Sequence, residues 1–137
     1  MEGVTFSWPT RVYYEDTDAG GVVYHAQYLK FLERARTEWL RAAGLEQDRL
    51  AAEHGIVFAV TQADLRFVAP ARFNDALCIT VRPVAHGRVR IVFEQAVYKA
   101  DATDEPLVTA HVEVACVSRE RFRAAALPEF IVETLKL

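Results

Sequence analysis

The distribution of apolar residues divides the chain near residue 55 into a helical part and a part rich in strands. After residue 55, four segments alternate apolar and polar side chains with a period of two, which is typical of strands with one buried face. These predicted strands cover residues 56–68, 76–84, 88–100 and 107–118. The first is either one long strand or a bent pair, and the sequence A-P-A at residues 69–71 ends it.

Before residue 55, the spacing predicts a first strand over residues 5–14 and a long helix over residues 28–43. The apolar stripe of this helix consists of Tyr28, Leu32, Ala35, Trp39 and Ala42. We interpret the charged residues around it, which are Glu33, Arg34, Arg36, Glu38 and Arg41, as facing solvent. Short helices are predicted over residues 47–54, before Gly55, and from Pro128 onward.

One strand, one long helix and then successive antiparallel strands predict an α+β domain in which the sheet covers the apolar stripe of the helix. A length of 137 residues fits one domain over residues 1–137 with a sizeable core. The pattern of elements does not by itself define the strand order.

Composition excludes several classes of protein. The 16 basic and 19 acidic residues give a net charge of -3, which argues against a nucleic-acid binder. No segment approaches the roughly 20 apolar residues of a membrane span. The first residues lack the basic start and apolar run of a signal peptide, so we expect a cytoplasmic protein. Cys78 and Cys116 lie in strand-like segments and are expected to be reduced.

The segment between the first strand and the long helix, residues 14–28, concentrates reactive side chains. It reads Y-E-D-T-D-A-G-G-V-V-Y-H-A-Q-Y. Gly20 and Gly21 let the main chain turn sharply and approach a ligand. A helix beginning near His25 would direct its free N–H groups and its positive dipole end toward Asp18 and His25. This arrangement suits an oxyanion.

Each residue of this segment also has a purely structural interpretation. Asp16, Thr17 and Asp18 are good turn and cap residues. His25 can cap the helix, and Tyr14 can be a half-buried aromatic residue of the strand. The combination of three carboxylates, three tyrosines and a histidine within fifteen residues favours a site.

Other chemistries find little support. Ser7 and Ser118 are the only serines, and neither lies in a G-x-S-x-G turn. Cys116 and His111 are five residues apart on one predicted strand, so they face opposite sides. Asp16, Asp18 and His25 do not have a recognised metal-ligand spacing. We therefore expect no metal and no cofactor, and an acid–base set of Asp18, His25 and Tyr14.

The spacing Y-x-D-T-D-x-x-G-x-V-Y-H-x-x-Y resembles the signature of hotdog-fold acyl-CoA thioesterases of the 4-hydroxybenzoyl-CoA thioesterase type. Here it is filled by Tyr14, Asp16, Thr17, Asp18, Gly21, Val23, Tyr24, His25 and Tyr28. Within that group the chain is most similar to the YbgC-type enzymes associated with the Tol-Pal system. The similarity continues through E-R-A-R-T-E in the helix, A-P-A-R at residues 69–72 and A-L-P at residues 126–128.

The resemblance implies a hotdog fold, in which a curved antiparallel sheet wraps around one central helix and domains pair edge to edge as dimers or tetramers. It implies that Asp18 is the catalytic carboxylate, either as nucleophile or as general base toward water. The backbone N–H near His25 would bind the oxyanion. The His25 side chain would orient water or protonate the thiolate, and Tyr14 would hold one of these residues.

The resemblance also implies a pocket for the acyl group at a subunit interface. The residues expected to bind substrate are Gly21, Val22, Tyr24, Phe58, Ala59, Val60, Thr61, Arg88 and Arg90. The two arginines are candidates for contact with the phosphates of coenzyme A, and the other arginines available for it are Arg72, Arg119, Arg121 and Arg123. The expected activity is hydrolysis of acyl-CoA, with acyl carrier protein thioesters as further candidates. The alternatives are a non-catalytic acyl-thioester-binding or scaffold protein at the cell envelope, or a hydratase on the same fold.

Overall fold

The helices and strands lie within residues 5–137, which are the residues that the computed structural model describes. In chain order they are β1 (Phe6–Arg11), a 3-10 turn (Tyr14–Asp16), α1 (Gln27–Ala42), α2 (Gln47–His54), β2 (Ile56–Phe67), β3 (Ala76–His86), β4 (Arg90–Lys99), β5 (Val108–Ser118) and α3 (Glu129–Thr134). None of the helices in this part of the chain has the length and apolarity needed to cross a membrane.

The five strands form one antiparallel sheet in the order β1-β3-β4-β5-β2. Its inner face packs on α1. The alternating residues predicted to share a face in β3 and β5 are buried together, namely Leu77, Ile79, Val81, Val108, Ala110, Val112, Val114 and Cys116. The predicted α+β hotdog architecture is confirmed, with β1 and β2 at the two edges of the sheet.

The first strand is shorter than the predicted residues 5–14. The chain leaves the sheet after Arg11, and Tyr14–Asp16 form a 3-10 turn. The carboxylate of Asp16 accepts a hydrogen bond from the backbone N–H of Tyr13 at 2.8 Å. This local bond takes the place of a hydrogen bond to a neighbouring strand. The acidic loop therefore begins with a tight turn.

β2 is one strand with a bulge, which decides between the two forms that the sequence left open. Val60 pairs with Val114 and Gln62 pairs with Glu113, so Thr61 is the extra residue. Phe58 and Val60 lie opposite buried β5 residues and face α1. Side chains alternate along a strand, so Ala59 lies on the outer face of the sheet.

Arg36 was predicted to face solvent, and this prediction is wrong. The buried stripe of α1 consists of Tyr28, Phe31, Leu32, Ala35 and Leu40. Arg36 is four residues from both Leu32 and Leu40, so it lies on the same face. It is half-buried, and its Nη1 donates to the side-chain oxygen of the buried Gln95 on β4 at 2.9 Å.

Candidate functional site

The acidic loop is fixed against α1 and the segment that follows β2. The Val23 N–H donates to the Ala71 carbonyl at 2.9 Å, and the Ala71 N–H donates to the Tyr28 hydroxyl at 3.1 Å. The Tyr24 N–H donates to the Asp16 carbonyl at 2.9 Å. The A-P-A-R segment and the acidic loop thus hold each other in register at the start of α1.

Asp16 and Asp18 have different environments although they are two residues apart. Asp16 is only 3% exposed, and its carboxylate accepts the Tyr13 N–H and the Gln27 side-chain amide, both at 2.8 Å. Gln27 is the first residue of α1. Asp16 therefore ties the 3-10 turn to the start of the helix, whereas the sequence indicated only an ordinary turn residue.

We expect Asp16→Ala to lower the free energy of unfolding by about 1.5 to 3 kcal/mol, because it removes the charged acceptor of two part-buried hydrogen bonds. Urea unfolding at one fixed protein concentration measures this loss. Glu15→Ala, at the exposed neighbouring position, is the matched control and should stay within about 0.5 kcal/mol of the parent protein. Equal losses in both variants would contradict the assigned role of Asp16.

Asp18 is exposed, and its carboxylate is oriented by the glycine turn. Its Oδ1 accepts the Gly20 N–H at 2.8 Å, and its carbonyl accepts the Gly21 N–H at 3.0 Å. A Cβ on Gly20 would lie 3.2 Å from this Oδ1, and Gly21 has a φ of +78°. Gly21 therefore has a backbone conformation that favours glycine, a side chain on Gly20 would crowd Oδ1, and Asp18 Oδ2 has no partner within the turn.

Asp18 and His25 line one cavity of about 330 Å³ at the N-terminal end of α1. The other lining residues are Val22, Val23, Tyr28, Phe67, Val68, Ala69 and Pro70. Burial raises the pKa of Tyr28, and the hydrogen bond from Ala71 opposes this shift. The structure thus places one carboxylate and one imidazole beside apolar walls.

The N-terminus of α1 points to the same region. The helix begins at Gln27 with Ala26 as the N-cap, one residue before the predicted residue 28 and two residues after His25, and no side chain caps it. The Gln27 N–H donates to the Tyr24 carbonyl, whereas the N–H groups of His25 and Ala26 have no backbone acceptor within residues 5–137. Free N–H groups at the positive end of a helix dipole form a binding site for negative charge.

His25 does not cap the helix. Its ring lies 4.5 Å from the Tyr24 ring and 6.3 Å from the Phe67 ring, measured between centroids. The imidazole is therefore positioned by two aromatic neighbours at the edge of the cavity. Tyr24 contributes to the site by contact with His25 and does not line the cavity itself.

Tyr14 lies apart from Asp18 and His25. Its side chain is 79% exposed and stacks on Phe73 with a centroid distance of 4.4 Å. It does not line the cavity that contains Asp18. Within one chain the structure does not bring Tyr14 to the other two candidate catalytic residues, so its catalytic role stays a prediction.

A second and larger cavity of about 470 Å³ lies along the C-terminal half of α1. Its apolar walls are Trp39, Leu40, Phe58, Val60, Ile91, Phe93 and Val114, and its polar residues are Glu33, Arg36, Thr37 and Gln47. Two of the residues predicted to bind the acyl group, Phe58 and Val60, are here and not beside Asp18. Arg36 and Gln95 were not among the predicted site residues, although Gln95 interrupts the apolar face that Ile91, Phe93 and Val97 form on β4.

Val22 lines the smaller cavity, whereas the remaining residues predicted to bind substrate lie outside both cavities. The Thr61 hydroxyl donates to the Glu113 carboxylate at 2.7 Å, and Arg90 forms an ion pair with the same carboxylate. The Thr61 hydrogen bond and then Arg90 lower the pKa of Glu113. Arg88 is exposed, and Ala59 faces outward. These residues stay predictions, with Arg90 already engaged in a surface pair.

Neither cysteine is placed as a nucleophile. Cys116 is buried, whereas His111, the histidine on the same strand, is exposed. Burial also raises the pKa of the Cys116 thiol. A raised thiol pKa reduces the thiolate that would attack. Within residues 5–137 no group of three metal-ligating side chains converges.

Known proteins share this fold and much of this sequence. A family model described as the Thioesterase-like superfamily matches residues 12–135. The acyl-CoA thioester hydrolase YbgC of Escherichia coli O6:H1 is 44% identical over 136 residues, which cover 99% of both chains. The acyl-CoA thioesterase YbgC of Haemophilus influenzae is 41% identical over 90% of this chain and 89% of its own. A solved structure of a probable thioesterase from Bartonella henselae is 36% identical, with a TM-score of 0.85 over 91% of this chain and 100% of its own. The chain therefore belongs to the thioesterase-like superfamily.

Proposed function

We propose that this protein hydrolyses acyl-CoA thioesters, with Asp18 as the carboxylate that starts the reaction. The observation that carries the proposal is the shared cavity of Asp18, His25 and the start of α1. The names of the Escherichia coli and Haemophilus influenzae relatives support acyl-CoA as the substrate class.

Two routes use this geometry. In one, an Asp18 oxygen removes a proton from water as the water attacks the thioester carbonyl carbon. In the other, an Asp18 oxygen attacks that carbon itself and water hydrolyses the resulting anhydride. In both, the carbonyl oxygen becomes an oxyanion that the free N–H groups at the start of α1 stabilise. The thiolate of coenzyme A then leaves, and His25 is in position to protonate it.

The acyl group needs a second subunit, because the two cavities of one chain lie at opposite ends of α1. The edge strands provide the contact. β1 has six residues and contains Pro9, which lacks an N–H donor, as the sequence indicated for an edge. β2 has twelve residues without proline and exposes Val60 and Phe67. An edge of this length is a template for pairing with another chain.

Antiparallel pairing of two β2 strands about a twofold axis joins the two kinds of cavity. With the axis near the strand midpoint, between Thr61 and Gln62, Phe58 of one chain lies opposite the Leu65 position of the partner subunit. The 470 Å³ cavity then adjoins the 330 Å³ cavity that the partner subunit contributes. The composite site contains Asp18 from one chain and Phe58 and Val60 from the other, as expected for an acyl pocket at an interface.

We expect the protein to be a dimer, or a tetramer built from such dimers. Multi-angle light scattering across a range of protein concentrations measures the mass of the species in solution. The mass should be at least twice that of one chain, about 31 kDa from a chain mass of 15.5 kDa. A monomer that retains full thioesterase activity would contradict the composite site.

Phosphate contacts with coenzyme A are assigned to Arg88, with Arg90 as a weaker candidate. Arg88 is exposed, whereas Arg90 would have to give up its ion pair with Glu113 to bind a phosphate.

The use of acyl carrier protein thioesters, an association with the Tol-Pal system and a cytoplasmic location are further proposals that rest on the resemblance. We also propose that hydrolysis needs no cofactor, because the Asp18 carboxylate itself activates water or attacks the thioester.

The direct test measures release of free thiol from a panel of acyl-CoAs, from acetyl to palmitoyl and including 4-hydroxybenzoyl. We expect hydrolysis of at least one member, with the same substrate hydrolysed far more slowly by Asp18→Asn. Absence of hydrolysis across the panel would overturn the proposal and favour a protein that binds acyl thioesters without cleaving them. Addition of water to an enoyl-CoA without thiol release would favour the hydratase.

A further inference from the structure

The cavity along the C-terminal half of α1 is lined mainly by apolar side chains, and a guanidinium contributes to its wall beside Glu33, Thr37 and Gln47. Arg36 lines this cavity together with Phe58, Phe93 and Val114. Arginine presents five N–H donors in a planar fork and remains charged at all physiological pH values. A permanent charge in the wall of a mainly apolar cavity raises the question of which group the guanidinium binds.

Arg36 is held in place by a buried amide. Gln95 is 1% exposed, and its side-chain nitrogen donates to the carbonyls of Leu32 at 3.1 Å and Thr80 at 3.3 Å. These bonds orient the Gln95 oxygen toward Arg36, which donates to it at 2.9 Å. The guanidinium is thus supported by a neutral acceptor that uses one of its donors, and the remaining donors are available to a ligand.

No carboxylate pairs with Arg36. Within residues 5–137 its guanidinium is in none of the ion pairs that lie within 4 Å. Glu33, three residues before Arg36 on the helix, accepts the Thr37 hydroxyl at 2.6 Å, and the Thr37 oxygen in turn accepts the Gln47 side-chain N–H at 2.8 Å. Burial lowers the pKa of Arg36, and the charge of Glu33 opposes this shift. Arg36 is thus a partly desolvated cation without an ionic partner among residues 5–137.

We propose that this cavity binds acyl groups that end in a carboxylate, and that Arg36 is the residue that recognises the carboxylate. This inference rests on the proposed function in one respect, which is that the ligand is an acyl group linked to coenzyme A. The apolar walls contact the methylene chain, and the fork of Arg36 binds the two carboxylate oxygens.

A carboxylate suits this position better than the methyl end of a simple fatty acyl chain. A methyl group would displace water from the guanidinium and offer it no acceptor, which is costly for a polar group. A carboxylate replaces that water with charge-assisted hydrogen bonds. Glu33 also lines the cavity, but it is exposed, so solvent screens its repulsion.

Matched pairs of ligands test the proposal. The pairs are hexanoyl-CoA with adipoyl-CoA, octanoyl-CoA with suberoyl-CoA, and decanoyl-CoA with sebacoyl-CoA, which differ only at the end of the chain. For at least one chain length, kcat/KM should be about 10- to 100-fold higher for the carboxylate member of the pair. A lower or equal value at every length would overturn the proposal and leave Arg36 as a structural link between α1 and β4.

Three variants separate recognition from structure. Arg36→Gln should reduce the preference within the favoured pair at least tenfold, and Arg36→Lys should reduce it partly, because lysine keeps the charge without the fork. Arg34→Gln removes the same charge from an exposed position of α1 and should leave the preference unchanged. An unchanged preference in Arg36→Gln, or an equal loss in Arg34→Gln, would overturn the assignment.

A binding measurement keeps this inference separate from the proposed hydrolysis. S-hexyl-CoA and its ω-carboxy counterpart, with the corresponding longer pairs, have no thioester to cleave. Their dissociation constants can be followed by the fluorescence of Trp39, which lines the cavity, in a Trp8→Phe background. Tighter binding of the carboxy member, by about 10- to 100-fold at one length, supports the proposal even if no thioester is hydrolysed. Equal affinity at all lengths would overturn it even in an active thioesterase.

Discussion

Asp18→Asn should lower kcat by roughly 100- to 10,000-fold if Asp18 is a general base, equivalent to about 3 to 5 kcal/mol of activation free energy, and by more if it is the nucleophile. The asparagine side-chain oxygen can still accept the Gly20 N–H, which Asp18 Oδ1 accepts at 2.8 Å. The turn should therefore persist. The amide cannot remove a proton from water or attack the carbonyl, so the loss falls on the transition state and KM should change much less.

The matched control is Glu15→Gln. It neutralises an exposed carboxylate of the same loop and should change kcat by less than about threefold. Asp16 cannot serve as this control, because it is buried and bonded to Gln27. Steady-state kinetics with the best acyl-CoA of the panel and thermal unfolding of each variant provide the comparison. A fall in the melting temperature of Asp18→Asn alone, or equal losses of activity in both variants, would show that Asp18 is structural.

Strands β3 and β5 were predictable because in each the buried residues alternate with less buried ones. The five residues of β5 that the alternation placed together, from Val108 to Cys116, are all buried. Successive side chains of a strand point to opposite faces, so burial of one face produces a period of two in the sequence. The order of the strands depends on contacts between distant segments, and the family resemblance supplied it.

Arg36 shows where residue type misleads. The sequence analysis assigned charged residues of α1 to the solvent face, but the position of Arg36 relative to Leu32 and Leu40 places it on the buried stripe. Its acceptor, Gln95, is 59 residues away on β4. Nothing local to the helix signals that partner, although the polar residue within the apolar face of β4 was visible in the sequence.

Two other features depended on details that no local pattern carries. Asp16 and Asp18 are the same residue type in one loop, and the 3-10 turn buries the first and exposes the second. Residues 58–61 were expected to line one pocket, but successive strand residues face opposite sides, and Thr61 is the bulge. Only Phe58 and Val60 therefore line a cavity.

The position of Phe58 relative to Asp18 determines which chains build the site. The residues of α1 that line the larger cavity begin at Glu33 and centre about ten residues from the start of the helix. At 1.5 Å per residue, that separation is about 15 Å. A short acyl chain attached to a thioester beside Asp18 would not reach the larger cavity of the same subunit. The proposed pairing through β2 would bring the partner subunit's cavity close instead.

Mixing two inactive variants should therefore restore activity. One variant is Asp18→Asn, and the other is Thr37→Trp, whose indole would fill much of the larger cavity without altering β2. Each should retain less than about a tenth of the parent activity alone. In an equal mixture that exchanges subunits freely, half of the dimers contain both variants. Each of these has one site with an intact Asp18 and an intact cavity from different chains, so about a quarter of the parent activity should return.

Coexpression of the two variants, each with a different affinity tag, allows the mixed dimers to be purified and their activity measured. Mixed dimers should have about half of the parent activity per dimer, because one of their two sites is complete. If Asp18 instead acts with the cavity of its own chain, every site in a mixed dimer carries one of the two substitutions and no activity returns. Thermal unfolding of Thr37→Trp guards against a third outcome, since an unfolded subunit would not form mixed dimers at all. Recovery in folded mixed dimers thus requires a site built from two chains, and its absence would contradict the pairing of β2 on which the composite site depends.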